Sequence, residues 1–337
     1  MHRATHLRLV VLALLSLVAL AACSSGAGAP ATSAASSPSA TGWSYTDDTG
    51  ATITLPAKPE RIAGFADQVL SLMSYGVKPV AIFGRVDVKT DPRFAGADLS
   101  DVTIVGNAYG EIDLEALAEA QPDIIVTAVY PTDRNGTLDP KEPYYGLKDL
   151  EQQQKIVAIA PVAAVKVGGE GFAVIESNAR LAVALGADQA KVDADKAVFD
   201  ASSAKLSETA KASDLEVTFM YADADGIYLV KPKDEPQTQL YQSLGVKITE
   251  IHPDGDYYWD IFKWENASDM MSGDIIMLSN EGFQTEDLKK QKTFASHPAL
   301  VAGQVYPNPY TAMDYSAQAK AMDTLTGYLT TAKKVAQ

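Results

Sequence analysis

The stretch that decides the fold is Gly-Val-Lys at 76–78, an apolar strand, Glu-Ala-Leu at 115–117 and Asp-Ile-Ile at 123–125. A similar series recurs as Gly-Val-Lys at 245–247, a strand, Glu-Asn-Ala at 265–267 and Asp-Ile-Ile at 274–276. Two similar α/β units on one chain predict two similar lobes. Clefts between lobes are where small ligands usually bind, so the repeat predicts a binding cleft and places Glu115 and Glu265 at matching positions, one per lobe.

Around the repeat, short apolar strands alternate with helical segments, which favours mainly parallel sheets with helices on their faces. The turn Asp-Asp-Thr-Gly at 47–50 predicts a hairpin over 43–55. Strands of the first unit are predicted at 62–65, 80–83, 102–105, 124–128 and 156–159. Strands of the second unit are predicted at 217–221, 226–230, 247–251, 275–278 and 305–306. Helices are predicted at 67–75, 112–120, 237–244, 266–271 and 316–333.

Between the two units the apolar spacing predicts helices over 172–185 and 189–211, broken near Gly186. A long helical connection between two α/β units most simply spans from one lobe to the other. The expected organisation is an N-terminal lobe at 43–170, a helical connector at 171–212 and a C-terminal lobe at 213–337.

The first residues are typical of an export signal. Arg3 and Arg8 precede an apolar segment at 9–20, and Leu-Ala-Ala-Cys follows at 20–23. About a dozen apolar residues fall short of the roughly 20 that a transmembrane helix needs. Leu-Ala-Ala-Cys resembles the bacterial lipobox, in which the cysteine is acylated and becomes the new first residue. The signal peptide is therefore expected at 1–22 and lipidation, including palmitate, at Cys23. The alternative is an ordinary signal peptide with an incidental cysteine.

Composition agrees with a folded part held outside the cell. Cys23 is the sole cysteine of the chain, so a disulfide within the chain is impossible. Small uncharged residues fill 24–42, and the segment 23–42 is expected to be a lipidated flexible tether. The chain has 43 acidic against 28 basic residues, a net charge of −15, which disfavours nucleic acid as a partner. The expected location is the extracytoplasmic face of the cell membrane, through the lipid anchor alone.

Several motifs together resemble a known family. They are Asp-Thr-Gly at 48–50, Pro-Glu-Arg-Ile at 59–62, Gly-Val-Lys-Pro-Val at 76–80, Asp-Leu-Glu-Ala-Leu at 113–117 and Gln-Pro-Asp-Ile-Ile at 121–125. Their order and spacing are similar to those of substrate-binding lipoproteins of bacterial ABC importers, in the subclass that binds iron–siderophore complexes, vitamin B12 and haem. The resemblance covers the whole mature chain. It implies a periplasmic-binding-protein-like fold: two α/β lobes joined by a long rigid helix, here at 171–211.

The resemblance also implies a function. The protein is expected to be a monomer without catalytic activity or a resident cofactor. It would capture a ferric siderophore, expected to be of hydroxamate type, and deliver it to an ABC permease with its ATPase. In the family one glutamate per lobe docks into arginine pockets on the permease, and Glu115 and Glu265 match those positions. A carboxylate on each lobe would pair with guanidinium groups in bidentate fashion. The alternative is that both are solvated glutamates at helix starts, favoured by the helix dipole.

Ligand contacts are expected in loops after strand ends, the usual position for ligands in open α/β sheets. The candidate residues are Arg85, Tyr109, Tyr130 and Tyr144 in the first lobe and Tyr221, Tyr228, Tyr258, Trp259 and Tyr310 in the second. Arg85 directly follows a strand, where the resemblance implies a ligand contact, and a guanidinium there could hold hydroxamate or carboxylate oxygens. Aromatic faces suit a bulky, partly apolar chelate. For any single tyrosine, core packing is the alternative.

Other ligands and other functions remain as alternatives. Haem or cobalamin could replace the siderophore, and Tyr144-Tyr145 or Tyr257-Tyr258 could bind bare Fe³⁺ through phenolates. A zinc or manganese site is disfavoured because the mature chain keeps His252 and His297 alone. The run 223–226 begins like a calcium loop but lacks the closing glutamate, so a hairpin turn is predicted. No catalytic motif such as Gly-x-Ser-x-Gly or His-Glu-x-x-His occurs, which disfavours an enzyme. A surface sensor without a transport role is the remaining alternative.

Overall fold

The computed structural model describes residues 42–335. The expected signal peptide, Cys23 and nearly all of the tether lie outside the described residues. Between residues 42 and 335, no helix has the length and apolar character needed to cross a membrane.

The described chain begins with the predicted hairpin, which consists of β1 (Trp43–Thr46) and antiparallel β2 (Thr52–Leu55). Asp47 forms the turn, because one of its carboxylate oxygens accepts hydrogen bonds from the amides of Thr49 and Ala51. The other oxygen accepts from the amide of Ala164, at 2.9 Å. One buried side chain therefore both shapes the hairpin and fixes it to the first lobe.

The first lobe contains one fully parallel sheet. Its elements in chain order are β3 (Ile62–Phe65), α1 (Ala66–Ser74), β4 (Pro79–Phe83), a 3₁₀ helix (Pro92–Phe94), β5 (Thr103–Gly106), α2 (Leu114–Glu119), β6 (Ile124–Val129), α3 (Leu150–Ile159) and β7 (Val162–Lys166). The strand order is β5-β4-β3-β6-β7, and every pairing is parallel. The alternation of strands and helices seen in the sequence is confirmed.

The strand predicted at 156–159 is wrong. These residues end helix α3, whose first turn is capped by the carboxylate of Asp149 on the Gln152 amide, at 2.8 Å. The last strand of the sheet is β7, which starts just after Pro161. A short apolar run is ambiguous between a strand and one face of a helix, and here Ile156 is the one residue of α3 that is fully buried.

Two helices connect the lobes, as predicted: α4 (Gly171–Ala184) and α5 (Gln189–Ala212). They break at Gly186, which has φ +106°, a conformation that favours glycine. Helix α4 packs against α1 and β7 of the first lobe and also against a helix of the second lobe, Pro236–Ser243. The connection is therefore helical and in contact with both lobes.

The second lobe contains a mixed sheet. Its elements are β8 (Glu216–Ala222), β9 (Gly226–Val230), α6 (Pro236–Ser243), β10 (Lys247–Ile248), β11 (Trp259–Lys263), a 3₁₀ helix (Trp264–Asp269), β12 (Ile275–Gly282), α7 (Thr285–Leu288), α8 (Pro298–Val301), β13 (Val305–Asn308) and α9 (Tyr315–Thr331). Parallel pairs join β10 to β8, β8 to β12 and β12 to β13, whereas β9 pairs antiparallel with both β8 and β11. The hairpin turn predicted at 223–226 is confirmed, since the Asp223 amide donates to the Gly226 carbonyl.

Two predictions for this lobe need correction, and strand β11 was not predicted. The helix predicted at 266–271 is a 3₁₀ helix that starts at Trp264, and the strand predicted at 247–251 has only two paired residues.

The repeat in the sequence corresponds to a repeated strand order in the two sheets. The order β4-β3-β6-β7 in the first sheet corresponds to β10-β8-β12-β13 in the second. Gly76 and Gly245 end equivalent helices with φ +92° and +98°. Asp123 accepts hydrogen bonds from the amides of Glu60 and Arg61, just before β3. Asp274 accepts from the amide of Glu216, the first residue of β8. Each repeated aspartate thus holds the start of the neighbouring parallel strand.

The two lobes share one hydrophobic core. A single cluster runs from Leu72 and Val126 in the first lobe, through Ile175 of α4, to Phe219 and Leu325 in the second. Polar contacts cross the same region: the Tyr75 hydroxyl accepts from the Tyr315 amide at 3.0 Å, and the Asn178 side chain donates to the Met313 carbonyl at 3.0 Å. The base of the inter-lobe cleft is therefore packed like the interior of a domain.

Candidate ligand-binding cleft

The carboxyl ends of the parallel strands in both sheets meet at a cavity of about 420 Å³ between the lobes, here called the cleft cavity. Loops after β3, β4, β6 and β7 supply its first wall, with Asp67, Arg85, Tyr130, Tyr145 and Val167. The second wall includes Tyr221, Glu235, Tyr258, Trp259, Ser279, Glu281 and Tyr310. The volume lies within the range of small-molecule sites.

Aromatic rings of the first wall form a packed cluster. Tyr145 lies with its ring centroid 4.7 Å from that of Tyr130 and 5.4 Å from that of Phe65. Gly146, at φ +90°, permits this approach, since a Cβ there would lie 2.4 Å from the Phe65 ring. The wall that faces the cavity is thus rigid and presents phenol groups.

Aromatic rings of the second wall depend on an unusual backbone conformation. Tyr258 has φ +72°, which is rare for a bulky residue. Its ring packs 5.0 Å from Trp259, and Tyr228 lies behind, 6.1 Å from Trp259 and 5.4 Å from Tyr221. The positive φ turns consecutive side chains, Tyr258 and Trp259, toward the same cavity.

An ion pair joins the walls across the cleft. The two terminal nitrogens of Arg85 donate to the two carboxylate oxygens of Glu281, at 2.6 and 2.7 Å. These hydrogen bonds lower the pKa of Glu281, and they raise that of Arg85. Planar bidentate pairs of this kind are among the stronger polar contacts in proteins.

A second inter-lobe ion pair lies beside the aromatic wall. Arg134, in the loop after β6, donates from Nε and Nη2 to the two oxygens of Asp234, each at 2.7 Å. The Asp234 side chain is fully buried and also accepts from the Tyr258 amide at 3.0 Å. This carboxylate therefore links a first-lobe loop to the strained residue of the second wall.

The cavity wall carries one guanidinium and three carboxyl groups: Arg85 against Asp67, Glu235 and Glu281. Burial raises the pKa of Asp67, and the neighbouring Arg93 and Arg85 act in the opposite direction. Burial likewise raises the pKa of Glu235, against hydrogen bonds from Thr238 and Gln237. Asp67 is paired with Arg93, and Glu281 is paired with Arg85. The cavity wall therefore offers no excess positive charge to an anionic ligand.

The phenols of the cavity are held neutral. Burial raises the pKa of Tyr130, Tyr258 and Tyr310 well above the ordinary value, and neighbouring acidic groups add to the effect. The Tyr310 ring also lies under two guanidinium groups, those of Arg85 and Arg93, at 5.7 and 5.0 Å. Neutral phenols can offer apolar faces and hydrogen bonds to a ligand.

Most of the predicted ligand residues come together in the cleft cavity. Those in its walls are Arg85, Tyr130, Tyr221, Tyr258, Trp259 and Tyr310. The other three do not line it. Tyr109 is 48% exposed and packs edge-on to Tyr145. Tyr144 faces the hairpin, with a hydrogen bond to Thr49, and Tyr228 supports Tyr221 and Trp259 from behind. Successive residues of an extended loop point in opposite directions, which separates Tyr144 from Tyr145.

The acidic residues of the cavity were not among the ligand residues predicted from the sequence. Asp67 could have been found, because it follows strand β3 as Arg85 follows β4. Glu235 begins helix α6, and a helix-capping role explains it equally well. Glu281 had no signal, since the predicted strand ended at residue 278.

The geometry does not support the alternatives in which the protein binds a bare metal ion. Among residues 42–335, no group of three or more His, Cys, Asp or Glu side chains could hold a metal ion. His252 contacts Asp260 on the surface, whereas His297 is buried and lies 2.9 Å from the Ser272 carbonyl. Tyr144 and Tyr145 do not face the same space, so they form no joint donor set.

Glu115 and Glu265 are both exposed, and neither forms an ion pair with any residue between 42 and 335. Glu115 lies in the first turn of α2, which is joined to the carboxyl end of β5 by the hydrogen bond from the Asp113 amide to the Val105 carbonyl, at 2.7 Å. Glu265 follows Trp264, whose indole donates to the Asp223 carbonyl just beyond β8, at 2.9 Å. Each glutamate thus lies near the sheet edge that faces the cleft.

Residues 75–310 match the family model described as periplasmic binding protein. The chain belongs to the periplasmic binding protein family. The matched range contains both copies of the repeat and most of the cleft cavity. No curated protein matches the chain by sequence.

Solved structures of this family are similar to the chain over most of its length. DesE, a ferric-siderophore receptor protein from Streptomyces coelicolor, is 28% identical with a TM-score of 0.76, covering 87% of this chain and 99% of that one. FeuA from Bacillus subtilis, a triscatecholate siderophore binding protein solved with ferri-bacillibactin, is 16% identical with a TM-score of 0.66, covering 85% and 98%. The siderophore periplasmic binding protein from the fuscachelin gene cluster of Thermobifida fusca is 24% identical with a TM-score of 0.61, covering 82% and 98%. The two-lobe binding-protein fold and the family suspected from the sequence are confirmed.

Proposed function

We propose that this protein captures a ferric siderophore of hydroxamate type in the cleft cavity and delivers it to an ABC permease for iron uptake. The observation that carries the proposal is the cavity itself: an aromatic site between two lobes, with one guanidinium and three carboxyl groups. The similarity to DesE, described as a ferric-siderophore receptor, supports the same ligand class.

The charge of the cavity favours hydroxamate over catecholate complexes. Three hydroxamates neutralise the charge of Fe³⁺, whereas three catecholates leave a trianionic complex. Like charges brought together in a desolvated site cost several kcal/mol. A cavity rich in carboxyl groups therefore accepts the neutral complex more readily, and Arg85 would hold one of its oxygens in place of Glu281.

The aromatic walls favour a preformed chelate over a bare ion. Rings of Tyr130, Tyr258, Trp259 and Tyr310 present apolar faces that match the carbon backbone of a siderophore wrapped around iron. Bare Fe³⁺ would require phenolates, and the raised pKa values of these phenols oppose that form.

The proposed place of action is the extracytoplasmic face of the membrane. Lipidation of Cys23 would anchor the chain, and the tether at 23–42 would let the folded part move above the bilayer. Glu115 and Glu265, exposed on the cleft side of the two lobes, would then meet arginine pockets of the permease. The complex would be delivered with the cleft in one fixed orientation.

Ligand titration of the purified protein tests this function. Binding of a neutral ferric trihydroxamate should quench the fluorescence of Trp259, and it should stabilise the fold by about 2.7 kcal/mol at a hundred times its Kd. Arg85→Ala should raise that Kd about tenfold, through the loss of charge-assisted hydrogen bonds. Arg85→Lys, which keeps the charge but not the planar fork, should give a smaller increase.

The controls are the iron-free hydroxamate, a ferric triscatecholate, haem, cobalamin and bare Fe³⁺. Stabilisation by haem, cobalamin or the bare ion in preference to the ferric trihydroxamate would contradict the proposed ligand. An unchanged Kd in Arg85→Ala would remove Arg85 from the site.

A further inference from the structure

We propose that Glu281 is a specificity-determining residue that occupies Arg85 in the ligand-free protein and excludes polyanionic chelates from the cleft. The inference rests on the proposed function for the identity of the chelates. It assigns to Glu281 two linked roles: a competitor for the guanidinium and a negative charge in the cavity wall that an incoming ligand must face.

Glu281 occupies the fork formed by the two terminal nitrogens of Arg85. Both terminal nitrogens of Arg85 donate to Glu281, and the remaining Nε lies 3.7 Å from Asp67. Asp67 is held mainly by Arg93, at 2.5 Å. A ligand oxygen can therefore bind both terminal nitrogens of Arg85 together only by replacing the Glu281 carboxylate.

Exposure shows which partner is able to leave. The Glu281 side chain is 52% exposed, whereas that of Arg85 is 18% exposed and lies over the Tyr310 ring. Glu281 can rotate into solvent, where its own charge is hydrated, and the ligand oxygen that replaces it keeps the mostly buried guanidinium of Arg85 paired. The Arg134–Asp234 pair differs, since the Asp234 side chain is fully buried and an unpaired buried carboxylate is strongly unfavourable. The structure thus has one exchangeable inter-lobe pair and one fixed pair.

The backbone is shaped to present Glu281. The register between β12 and β8 shifts after Leu278 and resumes at Gly282. Gly282 has φ +82°, and a Cβ there would lie 2.3 Å from the Ala222 carbonyl oxygen. The bulge moves Ser279 and Glu281 out of the pairing with β8, and both residues line the cavity. Bulges next to binding sites commonly re-aim a side chain in this way.

Discrimination follows from the exchange. When a neutral ferric trihydroxamate takes over Arg85, the released Glu281 faces no new negative charge. When a trianionic ferric triscatecholate does so, its excess charge faces the released Glu281 and also Glu235, whereas Asp67 stays paired with Arg93. Repulsion of this kind is an effective way to reject a wrong ligand.

The first test needs no ligand. Hydrogen exchange of the purified protein is followed by mass spectrometry in wild type, Glu281→Gln and a control, Glu208→Gln. Glu208 is exposed on α5, which contributes nothing to the cleft cavity. We expect exchange in Glu281→Gln to be faster than in wild type in two segments, 84–88 and 279–284. Exchange in the control variant should equal that of wild type. Unchanged exchange in Glu281→Gln would overturn the occupation of Arg85 by Glu281.

The second test measures selectivity. The Kd values of a neutral ferric trihydroxamate and a trianionic ferric triscatecholate are compared in the same three proteins. Glu281→Gln should shift the ratio of the two Kd values toward the triscatecholate by about tenfold, the size expected for one close charge, and Glu208→Gln should leave the ratio unchanged. Equal changes for both complexes would overturn the selectivity role. Wild-type protein that binds neither complex would overturn the proposed function and the selectivity role together, whereas the exchange experiment would still decide the occupation of Arg85.

Discussion

At the scale of single residues, Asp234 shows how one buried carboxylate organises a binding wall. It accepts two hydrogen bonds from Arg134 and one from the Tyr258 amide. The third bond holds Tyr258 at φ +72°, a conformation that costs free energy unless its surroundings enforce it. Arg134 is thus a positioning residue for Tyr258 and Trp259, although it does not itself line the cavity.

We therefore expect Arg134→Ala to destabilise the fold by about 2 kcal/mol, less than the roughly 3–5 kcal/mol of a fully buried pair, because the Arg134 side chain is one-third exposed. Denaturant unfolding checks this value. The near-ultraviolet circular dichroism of the aromatic wall should change as well. The double variant Arg134→Ala with Asp234→Asn removes the unpaired charge and should recover part of the stability. A double variant less stable than Arg134→Ala would contradict this account.

At the scale of elements, the first turn of α9 is capped by a carboxyl group that changes its protonation state with pH. Asp314 accepts a hydrogen bond from the Ala317 amide at 2.8 Å, and burial raises its pKa to about 6. In an unfolded chain the value is about 3.9, so the folded state binds this proton more tightly. The stabilisation is fully present below pH of about 4 and is lost as the pH rises through about 6.

Asp314→Asn keeps a capping oxygen and removes the titration. The free energy of unfolding of wild type, relative to this variant, should fall by about 2 kcal/mol between pH 4 and pH 7. Urea unfolding of both proteins at four pH values measures the difference. The contributions of the other titratable groups cancel because both proteins contain them. A difference that rises with pH would show that the carboxylate is favoured in the folded state.

Elements were predictable where local pattern and tertiary packing agree. The strand 62–65 is buried throughout and bounded by Pro59 and a helix, so its limits agree with β3. Prediction failed where packing and pairing between elements, and not the local apolar pattern, decide the secondary structure. Residues 156–159 are apolar but end α3, and β11 is an edge strand defined by its pairing with β9. The residues of the cavity show the same difference. Arg85 and Tyr310 could be predicted because they follow strand ends. Glu281 could not, because the β12 bulge that presents it has no local sequence signature.

At the scale of the whole molecule, the shared core limits how far the lobes can move. Apolar side chains of both lobes pack on α4 in one cluster, and Tyr75 of the first lobe is bonded to the start of α9. Wide closure would have to open this core, whereas exchange at Arg85 changes contacts only at the mouth of the cleft. The radius of gyration from small-angle scattering should therefore be nearly the same with and without ferric trihydroxamate. A clear decrease on binding would contradict a stiff connection.

A stiff pair of lobes also gives the two repeated glutamates a function. If the lobes hold a fixed angle, Glu115 and Glu265 present two carboxylates at a constant separation, and two such points are enough to orient the cleft over a permease. The variant Glu115→Ala with Glu265→Ala should abolish iron uptake by cells, while the Kd for ferric trihydroxamate stays unchanged, because neither residue lines the cavity. Glu208→Gln is the matched surface control. Normal uptake in the double variant would exclude docking through these glutamates, and a raised Kd would mean that their loss disturbs the cleft, not the permease contact.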